Sequence, residues 1–226
     1  MNYIKWITAM TIILSSFSTY ADMFQSVSKL QKDWAVVTYT LKGEQQKEAF
    51  EQLIVQADNV VSQYPKRAES LIWRGIIQSS YAGVKGGLSA LSLVKSSKVD
   101  LEKALQLNDK ALSGSAYTSL GTLYFKVPGW PLGFGDNDKA EKLLKKSISL
   151  NPKGMDSNYF YAEYLAEQHK YNDAEKCLLL AKKAPARLSR PLADKGRYAE
   201  IETSLEKIRK IVKAKSSTNN NKIGGM

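Results

Sequence analysis

Apolar residues along most of this 226-residue chain recur at every third or fourth position, and strict alternation of apolar and polar residues is scarce. That spacing is typical of amphipathic α-helices and not of strands. It predicts an all-α fold in which helices of about 9 to 15 residues come in pairs. The predicted helical runs are residues 68–82, 99–107, 116–125, 139–150, 157–167 and 174–183.

A longer pattern repeats across these pairs. Its two clear copies comprise Leu120-Gly121, Tyr124, Ala140, Leu144, Ser147 and Asn151-Pro152, and then Tyr161-Ala162, Leu165, Ala174, Leu178, Ala181 and Pro185. A weaker earlier copy comprises Leu71, Gly75, Leu101, Ala104, Leu105 and Asn108-Asp109. We interpret the small residues in this pattern as packing positions, where a helix approaches its paired helix closely.

This spacing resembles the tetratricopeptide repeat, a helix pair of about 34 residues. The match is closest over residues 155–185, whereas Gly75 to Gly121 spans 46 residues and Gly121 to Ala162 spans 41. The excess lies between the two helices of a repeat and predicts inserts at residues 83–96 and 126–137. The resemblance implies three such repeats over residues 66–185, stacked as a helical solenoid of antiparallel helix pairs with a C-terminal capping helix.

In that family the first helices of successive repeats line a concave groove, which is the usual peptide-binding surface. Transferred residue by residue, the resemblance implies that a protein or extended peptide binds along a groove formed by Glu69, Ile72, Ile76, Ser115, Thr118, Thr122, Asp156, Tyr159 and Glu163. Such a groove would be mildly acidic and partly apolar. Chaperone-type repeats grip a C-terminal carboxylate with Lys and Asn, so a carboxylate clamp is not expected here.

Residues 71–75, 114–121 and 127–136 look like those of an exported proteobacterial tetratricopeptide family with no assigned activity. More distantly, the chain is similar to the T component of tripartite periplasmic transporters. The first resemblance implies a compartment and a fold, and the second implies a ligand-handling role. We therefore expect an exported, non-enzymatic scaffold for protein–protein interaction in the cell envelope. The alternative is a small-ligand or transport accessory protein of the periplasm.

The two ends of the chain differ from the repeats. Residues 1–21 have one Lys, an apolar stretch and small residues before Asp22, which is the layout of a cleaved signal peptide and predicts a periplasmic protein. Residues 22–65 are expected to form a degenerate helical hairpin that turns at Lys42-Gly43. At the other end we expect a connection and a basic capping helix over residues 186–215, followed by a disordered tail over residues 216–226.

The second insert places Trp130 and Phe134 among Pro and Gly residues. Inserts at equivalent links of consecutive repeats should be neighbours, so we expect the two inserts to form one edge of the molecule. Loops longer than about 12 residues are usually functional or disordered. Trp130 and Phe134 are therefore either a binding edge or a cover for the neighbouring helix pair, and the sequence leaves both readings open.

The chain is basic, with 33 Lys and Arg against 22 Asp and Glu and a net charge of +11. Residues 181–215 hold 11 basic and 4 acidic residues, which gives this segment a net charge of +7. The segment is either a solvated face or a weak contact with an anionic membrane surface, through Lys207, Arg209, Lys210, Lys213 and Lys215. Nucleic acid is not expected as a partner, because an exported protein seldom meets it.

No catalytic constellation is apparent in the sequence. A single His and a single Cys exclude a His/Cys zinc cluster and an internal disulfide framework. We interpret His169 as a solvent-facing turn residue and Cys177 as a small buried hydrophobic residue. Neither a metal nor another cofactor is expected.

The sequence also contains local signals for helix starts that are independent of the repeat pattern. A capping residue that precedes an acidic residue by three positions satisfies free N–H groups at a helix N-terminus. This spacing predicts starts of second helices at three places: Ser97 with Asp100, Asp138 with Glu141, and Asn172 with Glu175.

Overall fold

The computed structural model describes the backbone of residues 3–223 and the side chains of residues 21–215. Within these residues the chain is all-helical and has no strand, which confirms the all-α prediction. The helices are α1 (Tyr3–Thr40), α2 (Gly43–Gln63), α3 (Ala68–Lys85), α4 (Ala90–Leu107), α5 (Ser115–Lys126), α6 (Asn137–Leu150), α7 (Met155–Glu167), α8 (Tyr171–Lys182) and α9 (Pro191–Ile223).

Consecutive helices pack as adjacent pairs, α1 with α2, α3 with α4, α5 with α6 and α7 with α8. Small residues allow the close approach inside these pairs. A Cβ atom on Gly121 would lie 2.8 Å from Leu144 Cγ, and one on Gly75 would lie 3.0 Å from Leu101 Cγ. Real Cβ atoms essentially never show the distance found at Gly121, and at Gly75 the leucine would have to move by a few tenths of an ångström. The interpretation of these glycines as packing positions is confirmed.

The odd-numbered helices form a continuous layer, called here the odd-helix layer. α1 packs on α3, α3 on α5, α5 on α7 and α7 on α9, and α1 also packs on α9. The α1–α9 contact places Tyr39 directly against Gly196, where an added Cβ atom would lie 2.3 Å from the tyrosine ring. Ala193 of α9 is buried in the same apolar cluster as Trp34 of α1. The first and last helices therefore close the layer on itself.

The first insert differs from the expected loop. α3 continues to Lys85 and α4 already begins at Ala90, so most of residues 83–96 lengthen the two helices. Ser97 consequently lies inside α4, where its hydroxyl donates a hydrogen bond to the Gly75 carbonyl at 2.7 Å. Asp100 accepts two hydrogen bonds from the Arg74 guanidinium at 2.6 and 2.7 Å. The predicted helix start at Ser97 is wrong.

The other two predicted helix starts are each displaced. Asp136 caps α6 by accepting a hydrogen bond from the backbone N–H of Lys139 at 3.0 Å, so the cap precedes the expected Asp138. α8 begins at Tyr171, after Lys170, and its first residues have no side-chain cap. The second insert, in contrast, remains a connection between α5 and α6.

The ends of the chain also extend beyond the predicted boundaries. α1 continues across the expected cleavage point between Ala21 and Asp22, and the side chains of residues 1–20 lie outside the described residues. α9 begins at Pro191 and reaches Ile223, where a disordered tail was expected from Ser216. Residues 224–226 of that expected tail lie outside the described residues. Among the helices described, none is long and apolar enough to span a membrane.

Candidate functional site

The nine residues of the expected groove lie on three neighbouring helices of the odd-helix layer, α3, α5 and α7. Four of them are buried, namely Glu69, Ile72, Thr118 and Tyr159. The cleft that remains between these helices has a volume of about 120 Å³ and is also lined by Trp34 of α1 and by Arg197 of α9. A water molecule takes about 30 Å³, so this cleft by itself is too small to hold an extended peptide.

Asp156, one of the expected groove residues, is fully engaged within the protein. It accepts hydrogen bonds from the Arg187 guanidinium and, at 2.9 Å, from Arg197 Nε. Arg187 also donates its Nε–H and its backbone N–H to Asp194, each at 2.6 Å. Burial opposes ionisation of Asp156, yet the charges of Arg197 and Arg187 outweigh it and hold the carboxyl pKa well below its usual range. Asp156 therefore joins α7 to α9 and to the link before it.

α9 covers the other expected groove residues of α7. Glu163 accepts a hydrogen bond from the Ser204 hydroxyl of α9 at 2.8 Å. The Arg197 guanidinium stacks over the rings of Tyr159 and Phe160, with distances of 4.4 and 4.6 Å to the ring centres. Burial raises the pKa of Tyr159 to about 12. These contacts occupy the polar groups through which α7 could bind a partner.

A larger opening lies between the two inserts, and we call it the insert cleft. Its volume is about 740 Å³, and residues of both inserts line it. The walls are mainly apolar, with hydroxyl groups from α3 and α5 and one Lys. The lining comprises Ser79, Ser80, Ala82, Gly83, Gly87, Leu88, Ala90, Leu91, Val94, Thr122, Leu123, Lys126, Val127, Pro128, Leu132 and Phe160.

The two aromatic residues of the second insert have different environments. The Phe134 ring packs edge-on against Tyr124 at 5.5 Å, and the Lys98 ammonium lies 5.8 Å from the Phe134 ring centre. Trp130, however, is 89% exposed. Phe134 therefore covers the neighbouring helices, whereas Trp130 projects to solvent.

Two apolar residues of the insert cleft are not among the site residues predicted from the sequence. Leu88 is 82% exposed and Leu132 is 66% exposed, and both line the cleft. A signal was present, because each leucine stands next to glycine in a turn-rich segment, where burial in a helix interface is not expected. Exposed leucines in such segments are candidates for contact with another molecule.

Candidate reactive residues have ordinary roles. His169 is exposed in the α7–α8 turn, and its Nδ1 lies 2.9 Å from the Tyr171 hydroxyl, which confirms its interpretation as a turn residue. Cys177 is half-buried against the core, and burial raises the pKa of its thiol. The His, Cys, Asp and Glu side chains described by the structure form no group of three or more that could hold a metal ion.

Several cations of the basic C-terminal segment are already paired. Arg209 donates to Glu175 at 2.6 Å, and Lys182 lies 2.6 Å from Glu202. The Lys215 ammonium lies over the Tyr171 ring, 4.6 Å from its centre. Lys207 and Lys210 are exposed on α9. Contact of this segment with an anionic membrane stays a prediction.

Comparison with known proteins adds no relative: no family model matches the chain, and no curated protein matches it. The resemblance to the tetratricopeptide repeat therefore rests on the residue pattern of the chain itself. The insert cleft and its exposed leucines are the features of the described residues that best indicate a binding role.

Proposed function

We propose that the chain is an exported, non-enzymatic binding protein of the tetratricopeptide type that holds a partner protein in the cell envelope. The residue pattern, the adjacent helix pairs and the close approach at Gly121 support the repeat type. The signal-peptide layout of residues 1–21 supports export. The observation that carries the binding role is the apolar insert cleft of about 740 Å³ with exposed leucines at its edge.

The partner engages the insert cleft, which adjoins the smaller cleft of the concave face. The two clefts share the lining residues Ser79, Ser80, Thr122, Leu123 and Phe160, and Thr122 is one of the expected groove residues. The concave face offers a cleft of about 120 Å³, and two of its three charged groups, Asp156 and Arg197, are paired with each other. The insert cleft is open to solvent and is about six times larger. Apolar surface that stays in contact with water costs free energy, so a protein that retains Leu88 and Leu132 at an edge gains by covering them.

The occupant we propose is an amphipathic segment of the partner, with apolar side chains toward Leu88, Leu91 and Leu132. An amphipathic helix binds an apolar groove through side chains spaced three and four apart. The volume of the cleft is sufficient for several such side chains. Without residues 1–21, whose only charged residue is Lys5, the exported chain has a net charge of +10. This charge favours acidic residues on the solvent-facing side of that segment, because opposite charges promote encounter.

The test compares two matched leucine substitutions. Leu132→Asp places a charge in the insert cleft, whereas Leu188→Asp places the same charge at a residue that is 96% exposed on the α8–α9 link, outside the cleft. A photo-crosslinking residue at position 88 in the native envelope should capture one partner segment with the wild-type background and with Leu188→Asp. We expect Leu132→Asp to lose that product while its melting temperature stays unchanged.

The same experiment can contradict the proposal. Equal crosslinking in the Leu132→Asp and Leu188→Asp variants would show that the insert cleft does not select the partner. A crosslinked segment without apolar residues would exclude an amphipathic occupant. Copurification of an apolar small molecule, with no crosslinked protein, would favour the accessory-protein alternative.

A further inference from the structure

A second cavity, called here the arginine cavity, shares no lining residue with the insert cleft. Its volume is about 340 Å³. The odd-helix layer and the α8–α9 link enclose it, with contributions from Trp73 of α3, Ser115 of α5, Asp156 of α7 and Arg187 and Arg190 of the link. The Asp156 carboxylate is already paired with arginines. Its size suits a small solute and not a folded partner.

Two buried hydrogen-bond donors of this cavity have no partner among the described residues, namely Trp73 Nε1 and Arg190 Nε. Trp73 is only 3% exposed. The Arg190 guanidinium lies over the Trp73 ring, 4.9 Å from its centre, so the two donors belong to one local group. Buried N–H groups nearly always donate a hydrogen bond in folded proteins. Two buried N–H groups without an acceptor, both from residues that line a cavity, indicate that a bound molecule supplies the acceptor.

Arg190 also differs from its neighbours in charge pairing. Arg187 and Arg197 form ion pairs with Asp156, Asp194 and Glu200. No carboxylate of the described residues lies within ion-pair distance of Arg190. Burial and the nearby charge of Arg187 lower the pKa of Arg190 to about 10, which still leaves it protonated at neutral pH. The charges of Asp156 and Asp194 act on Arg190 in the opposite direction, but from beyond ion-pair distance. The cavity therefore holds a cation without a directly paired carboxylate.

We propose that the arginine cavity binds a small solute through the oxygen atoms of a carboxylate or phosphate group. Arg190 supplies the charge and its Nε–H, and Trp73 supplies the indole N–H. Guanidinium groups form short, charge-assisted hydrogen bonds with both kinds of oxyanion. This site does not depend on the insert cleft, so its test is independent of the test for the proposed protein partner.

The experiment titrates the chain with inorganic phosphate and, separately, with succinate, in a calorimeter at constant ionic strength. We expect saturable binding of at least one of the two, and the one that binds identifies the oxyanion. Arg190→Gln should weaken that binding at least tenfold. Lys210→Gln removes one positive charge from an exposed residue of α9 and should leave the affinity within twofold of the original value.

Thermal melting separates ligand binding from a structural role of Arg190. Without ligand, Arg190→Gln should melt at the original temperature or above it, because an unpaired, desolvated cation has been removed. With ligand, its melting temperature should not rise, whereas that of the original chain should. Trp73→Phe keeps a ring but removes the N–H donor, and should also weaken binding. Absence of saturable binding by both probes, or unchanged affinity in Arg190→Gln, would overturn the proposal.

Discussion

Replacement of Trp130 by alanine should leave the stability of the protein almost unchanged. Trp130 is 89% exposed, so only about a tenth of its surface is removed from water. With about 250 Å² for a tryptophan side chain and about 25 cal/mol per Å² of apolar area, the buried part contributes about 0.7 kcal/mol. We therefore expect Trp130→Ala to lower the free energy of unfolding by less than about 1 kcal/mol.

Urea unfolding followed by circular dichroism measures this change, with Phe134→Ala as the comparator from the same insert. Phe134 packs on Tyr124, so its removal leaves a partial cavity and should cost about 2 kcal/mol. Fluorescence gives a second readout, because Trp34 and Trp73 are buried. Trp130→Ala should shift the emission to shorter wavelength and reduce quenching by iodide. A loss of about 3 kcal/mol in Trp130→Ala would refute the reasoning, since only a buried tryptophan contributes that much.

Two further substitutions test the packing and the charge network. Gly121→Ala brings a Cβ atom to 2.8 Å from Leu144 Cγ, whereas the Cβ atom of the control Gly83→Ala meets no atom within 4 Å. Urea unfolding should show Gly121→Ala to be less stable than Gly83→Ala by about 1.5 kcal/mol or more. Equal stabilities of the two variants would contradict the close packing. Asp156→Asn leaves Arg187 and Arg197 without their shared carboxylate, which is 32% exposed, and should cost about 2 to 3 kcal/mol at pH 7. Because the folded-state pKa of Asp156 is depressed, its stabilisation is present above the unfolded carboxyl pKa of about 3.9 and is lost as the pH falls below it. Urea midpoints of Asp156→Asn and the original chain should therefore approach each other as the pH falls from about 5 to about 2, and a difference that does not shrink over this range would contradict the ion-pair role.

The helical periodicity of the sequence was sufficient to predict the paired helices, because each helix buries a stripe that recurs with its own turn. Gly121 and Leu144 could be predicted as contacting positions for the same reason. The N-terminal boundary of α4 could not be predicted from the sequence. Gly83, Gly86 and Gly87 are typical of a turn, yet residues 90–96 continue the helix, since Val94 and Ser97 are buried there. Ser97 and Asp100 have the spacing of a helix cap, but they lie inside α4. The packing of α4, and not this spacing, determines where the helix begins.

The arrangement of the candidate sites depends on a contact that no repeat pattern contains. Tyr39 and Gly196 are far apart in sequence, and their contact brings α1 onto α9. The repeat resemblance concerns neighbouring helix pairs and carries no information about contacts between the first and the last helix. The expected concave groove was therefore derived for an open stack, whereas α9 and α1 cover that face in the structure.

Closure of the odd-helix layer has a direct electrostatic consequence. Charged groups that would face water in an open groove become partly buried, and burial favours those that find a partner. Asp156 finds two arginines, and Glu163 accepts from Ser204. Arg190 lies under the same cover, and Asp156 and Asp194 act on it only from beyond ion-pair distance. In an open stack water would solvate the Arg190 guanidinium, so the absence of an ion-paired carboxylate would cost little free energy. In the closed layer that absence is costly, and a bound oxyanion is the simplest means by which the charge could be compensated without opening the α1–α9 contact.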